Sequence, residues 1–490
     1  MAVPVLVGIA RLTQRVSAPG EGLDAVDLMS EAVRAALDDA SAPGLAKRVG
    51  LVGVPRGMWR CTDPARVIAE RIGAPDARTI SAEVGVLQHS LITGACERIA
   101  SGEVDAAIVC GGEARYRHVL AAKAGVEGAE HPGPESPADE VWRPAEPVVT
   151  AFEFERGIVM APTQYALISS AVAHANGWSY ADRRRFMGEL WASYAAVAAG
   201  DELAWDRSAP DASTIVTPSP TNRMVAFPYP RLLCSQWNVD QAAALVFASE
   251  DVARELGVPS DRRVYPVAAA ESNAMVPLYT RVEVQRWPAF EHASRAVLDL
   301  AGCGIDDIGL LEIYSCFPSA VVVQLHALGI ADRRPVSVTG GMTFGGGPLN
   351  NFVLQSTVAI AERLRAGDAD AGLVTGVSGL LTKPGLHVWS SSPSPDGFRS
   401  ADVSDLALRD TATRPVARPT ADDERGPSTV VAATVSYDRG QPPCARAVLE
   451  LDDGTRTVAS STNEADVDLV QQGDPVGARV NVLGPGRFAG

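Results

Sequence analysis

The stretch Ile99–Gly111, IASGEVDAAIVCG, returns as Leu364–Gly376, LRAGDADAGLVTG, at a constant offset of 265 residues. Five positions are identical: Gly102/Gly367, Asp105/Asp370, Ala106/Ala371, Val109/Val374 and Gly111/Gly376. Ile99/Leu364, Glu103/Asp368 and Ile108/Leu373 exchange like for like. A second pair, RAALD at Arg34–Asp38 and RAVLD at Arg295–Asp299, repeats at an offset of 261. Two repeats at nearly one offset mean two copies of one structural unit. Each copy reads as helix, glycine stop, strand. In the first, Leu87, Leu91, Ala95 and Ile99 fall near helical spacing over Val86–Ser101. Gly102 follows as a helix-ending residue, where a left-handed backbone costs glycine little. The run Ala106–Cys110 is wholly apolar, as suits a strand buried on both faces. The second copy repeats the plan with a helix over Val353–Ala366, then Gly367, then the strand Ala371–Val374. Helices alternating with buried strands imply a layered α/β fold.

Leu28–Leu37 and Phe290–Leu300 read as the earlier helix of each copy, and Val49–Val54 and Ile308–Tyr314 as the strand after it. Between the copies, Tyr116–Arg231 is rich in Trp, Pro and Arg, with a helical region over Pro162–Ala199, and reads as an inserted loop domain. The apolar α/β pattern resumes at Cys234–Ser249. After Trp389 the chain becomes rich in Pro, Ser and charge, as a linker is. From Thr429 it turns β-like, with a DDG turn between two strand-like runs and a further strand pair over Gly473–Val482, which predicts a small OB-like β-barrel. The expected division is a first half over 1–115 and 232–255, a loop domain over 116–231, a second half over 256–390, a linker over 391–428 and a barrel over 429–490.

A net charge of −16 argues against a nucleic-acid partner, because phosphates need a basic footprint. The seven cysteines are scattered with no CxxC pair, so neither a zinc site nor a disulfide framework is expected, and a reduced cytoplasm fits them. No apolar run is long enough to span a membrane. The N-terminal MAVPVLVGIARLTQR has a short apolar part and no basic leader, so no signal peptide is expected.

Four segments, in order, resemble the thiolase superfamily over roughly residues 3 to 390. IASGEVDAAIVCGGEA resembles its helix–glycine–strand ending in GG, and NVDQAAALVFAS its N-x-D-G-A-A-A segment. EIYSCFPSAV resembles the NEAF block in the HDCF form of the sterol-carrier-type thiolases, and TGGMTFGGGPLNN the GG…GHP block. The closest likeness is to thiolase-like proteins named acetyl-CoA acetyltransferases that carry an extra C-terminal domain. The resemblance implies a duplicated five-layer α/β/α/β/α fold with a loop domain, here followed by the barrel. It also implies an acyl-CoA or related thioester as ligand, with no other cofactor and no metal.

The family uses a cysteine nucleophile, a histidine that activates it, an Asn or His that orients an oxyanion-hole water, and a second cysteine for the α-proton. Registered on Gly102, the nucleophile falls at or near Gly85. The Asn/His position is Tyr314, followed by Ser315 and Cys316; the GHP histidine is Gly347; and the C-x-G block becomes Val377, Ser378, Gly379. Tyr314 is the catalytic candidate, as a phenol for acid/base work, against a pocket-filling tyrosine with a bonded hydroxyl. Gly85, Cys316, Gly345, Gly346, Gly347, Asn350 and Ser378 are the ligand-binding candidates. For Cys316 the default is a small buried residue. For the glycines it is a tight turn into a helix beginning near Asn350 or Asn351, against backbone N–H groups aimed at a thioester or pyrophosphate. His89 and His387 read as structural or surface histidines. Arg183, Arg184 and Arg185 read as a solvated helix face, against a phosphate contact.

Three functions are open at this point. One is a degenerate member that binds acyl-CoA thioesters without the Claisen reaction. Another is an enzyme with different chemistry, a non-canonical acyltransferase or a retro-aldol lyase on a hydroxyacyl-CoA using Tyr314. The last is a scaffold whose barrel recruits a protein partner.

Overall fold

A computed structural model describes residues 2–126, 128–331 and 334–490. The first half opens with β1 (Pro4–Thr13) and α1 (Ala25–Asp39), then β2 (Val49–Pro55), α2 (Pro64–Arg71), β3 (Arg78–Ala82), α3 (Gln88–Ser101) and β4 (Ala106–Ala114). Asp24 caps α1 by accepting from the Asp27 N–H at 2.8 Å, supplying one of the acceptors a helix start lacks. Val26, Met29, Val33 and Ala36 form its buried stripe, each large apolar side chain contributing about 1.5–3 kcal/mol. α3 stops at Gly102, where φ is 79°. A short strand, β5 (Glu140–Trp142), adds to the edge of β3. It is admitted by Gly94 of α3, where a Cβ would lie 2.8 Å from Trp142 Cη2.

The loop domain carries the helices Ala161–Ala175 and Tyr180–Ala199, then β6 (Met224–Ala226) and β7 (Tyr229–Pro230). Sequence periodicity merges those two helices. They are separate because Gly177 turns left-handed at φ 62° and Ser179 with Asp182 forms a capping box that starts the second. The chain then returns to the first sheet as β8 (Asp240–Ser249).

The second half supplies β9 (Tyr265–Glu271), the helix Pro288–Ala301, β10 (Leu310–Glu312), the helix Pro318–Leu328, the helix Phe352–Arg365, β11 (Ala371–Ser378) and β12 (Lys383–Ser390). The first sheet runs β1-β8-β4-β2-β3-β5, and the second, read from its far edge, runs β9-β12-β11-β10. The shared four strands match one for one. β1/β8 and β9/β12 are antiparallel, as are β4/β8 and β11/β12, while β2/β4 and β10/β11 are parallel. The duplication seen in sequence is therefore a duplication of topology.

α3 and the helix Phe352–Arg365 lie between the two sheets, sharing one core that holds Leu91, Ile92, Leu354, Val358, Phe247 and Trp389. α1 and α2 cover the outer face of the first sheet. The helices Pro288–Ala301 and Pro318–Leu328 cover that of the second. These are the five layers expected, and they explain why the central strands are apolar on both faces.

The stretch read as a linker is partly ordered against the second half. Within it, β13 (Arg399–Asp402) pairs in parallel with β9, and Val403 and Ala407 are buried. The barrel follows as β14 (Gly426–Ser436), β15 (Cys444–Leu451), β16 (Arg456–Ser461), β17 (Arg479–Gly484) and β18 (Arg487–Ala489), with a helix at Glu464–Gln471. β6 of the loop domain pairs with β14 and extends the barrel sheet. Arg156 of the loop domain holds Glu424 through two hydrogen bonds of 2.6 and 2.8 Å. The barrel is thus joined to the loop domain by backbone pairing and by a bidentate ion pair.

Candidate functional site

The two central helices start beside each other. Gln88, the first residue of α3, accepts from the Val353 N–H through Oε1 at 3.0 Å. The residues that precede each helix are the sequence candidates, and the structure shows what fills the space around them.

Gly85 has φ 108°, and a Cβ there would sit 2.9 Å from Pro144 Cγ and 3.1 Å from Val148 Cγ1. The space beside Gly85 is therefore closed by the segment that follows β5. The Gly85 carbonyl accepts a hydrogen bond from Lys383 Nζ, at the start of β12. Lys383 is 2% exposed, and burial lowers its pKa from the usual lysine value. It forms no ion pair with the described residues.

At the second helix, Gly341–Gly345 forms a π-turn and Asn351 precedes the first helical residue, Phe352. Gly346 has φ 105°, and a Cβ there would overlap Gln241 Oε1. Gln241 stands where the family segment N-x-D-G-A-A-A has glycine. It is fully buried, and its Nε2 donates to Gly345 O at 2.9 Å, Thr13 Oγ1 at 3.0 Å and Leu203 O at 3.4 Å. The Gly347 N–H donates to Gln236 O at 2.9 Å, and that of Gly345 to Gly340 O at 3.4 Å. These N–H groups are occupied within the protein rather than aimed at a ligand. Asn350, at φ 50°, donates from Nδ2 to Arg56 O at 2.8 Å.

Gln241 and Lys383 are counterparts. Gln241 lies opposite Glu113 in the β4–β8 register, and Lys383 lies opposite Ser378 in the β11–β12 register. Glu113 and Ser378 are separated by the same 265 residues as the sequence repeat. Each side chain crosses from its own half to the glycine that precedes the other half's central helix.

Tyr314 follows β10, with its N–H donating to Thr375 Oγ1 at 2.8 Å and its carbonyl accepting from Gln324 Nε2 at 2.9 Å. Its ring stands edge-on to Phe352, with centroids 5.7 Å apart. Burial raises its phenol pKa, the opposite of what a proton shuttle near neutrality needs. Ser315 Oγ accepts from the Met342 N–H at 3.0 Å, tying this block to the π-turn. Burial pushes the Cys316 thiol up to about 12, and it likewise raises Cys61, Cys96, Cys110, Cys234 and Cys303. In each of these six, burial outweighs any nearby cation, so none is set up as a thiolate. Glu312, one residue inside the same block, is fully buried and accepts from the N–H groups of Val338 and Thr339 at 2.7 and 2.9 Å. Burial raises it to about 7. Its role is to fix the backbone that leads into the π-turn.

His89 and His387, read separately from sequence, stack on each other with centroids 5.0 Å apart. Both are 1% exposed, and their Nδ1 atoms have no partner among the described residues. Arg183 is on no solvated face: it is 6% exposed and lies over the rings of Tyr180 and Phe227 at 5.7 and 5.5 Å. Arg184 bonds Thr217 and Arg185 bonds Asp182. Among the described residues no group of three or more His, Cys, Asp or Glu could hold a metal ion, and no helix is long and apolar enough to cross a membrane.

Sequence reasoning missed Lys383, Gln241 and Glu312. For Lys383 a signal exists: the chain has three lysines against forty arginines. Arginine stays charged in proteins, whereas a buried lysine can lose its proton.

Known proteins give the family. No family model matches the chain. A monomeric SCP2-thiolase-like protein type 1 from Mycobacterium smegmatis superposes with a TM-score of 0.84 at 30% identity, over 99% of this chain and 98% of that one. This chain belongs to the thiolase superfamily. Among curated relatives, an acetyl-CoA acetyltransferase from Methanothermobacter thermautotrophicus is 27% identical over 191 residues, 34% of this chain and 49% of the relative. A 3-ketoacyl-CoA thiolase from Psychrobacter cryohalolentis is 29% identical over 142 residues, 29% of this chain and 34% of the relative. The chain thus matches half or less of these curated relatives. The structure of an Ltp2–ChsH2(DUF35) aldolase shares the thiolase fold, with a TM-score of 0.61 at 19% identity over 80% of this chain and 99% of that one.

Proposed function

We propose that this thiolase-superfamily protein binds acyl-CoA thioesters without the Claisen chemistry of a conventional acetyl-CoA C-acetyltransferase. The observation that carries this reading is the closure of the nucleophile position. Gly85 has no side chain, and Pro144 and Val148 pack where one would lie. The histidine position, Gly347, likewise meets Met342, with a Cβ there 3.0 Å from its carbonyl. A thiolase reaction requires a thiolate that takes the acyl group from CoA, and six of the seven thiols are pushed away from ionisation by burial.

The retro-aldol reading through Tyr314 draws less support, since burial drives that phenol away from neutrality. Recruitment of a protein partner through the barrel is compatible with thioester binding and adds to it rather than competing.

The test is a thermal-shift series with CoA and acyl-CoA esters of increasing chain length, followed by intact mass after incubation with acetyl-CoA. Binding to the folded state raises the midpoint as occupancy rises. We expect saturable stabilisation and no acetyl-cysteine. An acetylated cysteine on the intact protein would overturn the proposal, and so would a flat response to every ester.

A further inference from the structure

Lys383 and Gln241 hold equivalent positions, and the comparison separates a space-filling contact from a reactive one. Gln241 is neutral and its amide nitrogen reaches three acceptors. Lys383 carries an ammonium with three donors, yet among the described residues only the Gly85 carbonyl accepts from it. A buried ammonium with one acceptor and no direct ion pair is a poor structural element, because its desolvation is only partly compensated. The same surroundings make a good amine nucleophile, since an unprotonated lysine in a desolvated site adds readily to carbonyl groups.

We propose that Lys383 is a nucleophile of this site, forming a reversible imine with the ketone carbon of a 3-ketoacyl thioester. The inference rests on the thioester-binding reading and specifies the substrate class within it. Three observations carry it: the contact of Nζ with the residue at the family's nucleophile position, the absence of an ion pair, and the contrast with Gln241.

The chemistry balances without a further reactant. The unprotonated amine adds to the ketone, forming a C–N bond while the carbonyl π pair moves to oxygen. The nitrogen then loses a proton and the oxygen gains one. The carbinolamine takes a second proton on its hydroxyl, which leaves as water as the nitrogen lone pair forms the C=N bond; the iminium then returns that proton to give the imine, and hydrolysis reverses each step. Glu271 and Glu146 are the carboxyl groups whose fields reach Lys383. Glu271 is the better proton donor. It is held by Ser90 Oγ at 2.8 Å and Asn273 Nδ2 at 3.0 Å, and burial raises its pKa. It also lines, with Ser90, Thr93 and Trp142, a cavity of about 260 Å³ between α3 and β9.

Three lysines in the whole chain make the experiment clean. The full-length protein is incubated with acetoacetyl-CoA and sodium cyanoborohydride, digested, and mapped by mass spectrometry, while binding of acetoacetyl-CoA without reductant is followed by thermal shift. The expected result is a reduced adduct on Lys383, at least tenfold above that on Lys47 or Lys123, and its loss in Lys383→Met. A thermal shift with no adduct on Lys383 overturns the lysine proposal and leaves thioester binding standing. An adduct spread evenly over the three lysines also overturns it, as ordinary amine reactivity. No thermal shift and no adduct removes both readings. Trapping in the wild-type protein decides the matter even where Lys383→Met fails to fold.

Discussion

Two glycines precede the two central helices, and each is met by a side chain from the opposite half. At Gly346 the visitor is Gln241, whose amide nitrogen is satisfied by two carbonyls and a hydroxyl. At Gly85 it is Lys383, with one carbonyl. A few residues away the halves differ again. His89 and His387 stack at the first helix, whereas the corresponding positions of the repeat are Leu354 and Leu245, both in the central apolar core. The backbone plan is the same twice. What differs is that the second site is met by a neutral amide with three acceptors, while the first is met by an ammonium with one acceptor and stands near a stacked pair of histidines. Duplication fixes where side chains point, and the residue placed there decides whether the position packs or reacts.

The largest effect comes from breaking the neutral site. Gly346→Ala adds a methyl against Gln241 at a positive φ, and should cost about 3 kcal/mol or more in denaturant unfolding. Pairing it with Gln241→Ala should recover the steric part and leave the backbone strain, about 1 kcal/mol. A double variant no more stable than Gly346→Ala would mean that Gln241 does not occupy that space.

Acid should then act through the histidine pair of the first site. Burial holds His89 down at about 4, from a usual 6.5, and lowers His387 as well. Below pH 6.5 the unfolded chain takes up protons that the folded chain excludes, so stability falls with pH until about pH 4. His89 contributes roughly 3 kcal/mol to that loss. Urea unfolding at a series of pH values measures it. His89→Leu with His387→Leu, which copies the apolar pair Leu354 and Leu245, should flatten the slope; an unchanged slope would place the acid sensitivity elsewhere.

The contrast between the two crossing side chains is sharpened by apolar replacements. Gln241→Leu removes the amide's hydrogen bonds to Gly345 O, Thr13 Oγ1 and Leu203 O and should cost about 1–3 kcal/mol. Lys383→Met removes a poorly compensated charge and should cost less than 1 kcal/mol, or stabilise. Equal losses would make Lys383 a structural element like its counterpart. Smallest of all, Cys316→Ala should change stability by about 1 kcal/mol or less and leave the thioester-induced midpoint shift untouched.

Legibility from sequence followed the range of the interactions. α3, β4, the helix Phe352–Arg365 and β11 were readable because their patterns are local: apolar spacing, a glycine stop, a short buried run. The break between Ala175 and Tyr180 was hidden because Trp178 and Ser179 fit a continuing helix until the cap is seen. The partial ordering of 391–428 was hidden because β13 is short and is held by β9, more than a hundred residues earlier. In the site, Gly85, Gly347 and Val377–Gly379 were legible in the chain as the positions where the resemblance leads one to expect cysteines and a histidine. The replacements were not, because Lys383 reaches Gly85 across 298 residues and Gln241 reaches Gly345 across 104.

The sequence by itself determined the duplication, the layered α/β plan and the superfamily resemblance, since each is a property of residues close together or repeated in order. Only the tertiary structure decided which side chains meet the glycines that precede the two central helices. Filling a site is a matter of which side chains cross between halves, and that depends on strand register and on the packing of two sheets around one pair of helices. Neither leaves a local pattern. The lysine that meets Gly85 is in sequence one unremarked residue before Pro384; its burial, its single acceptor and its glutamine counterpart exist only in the fold.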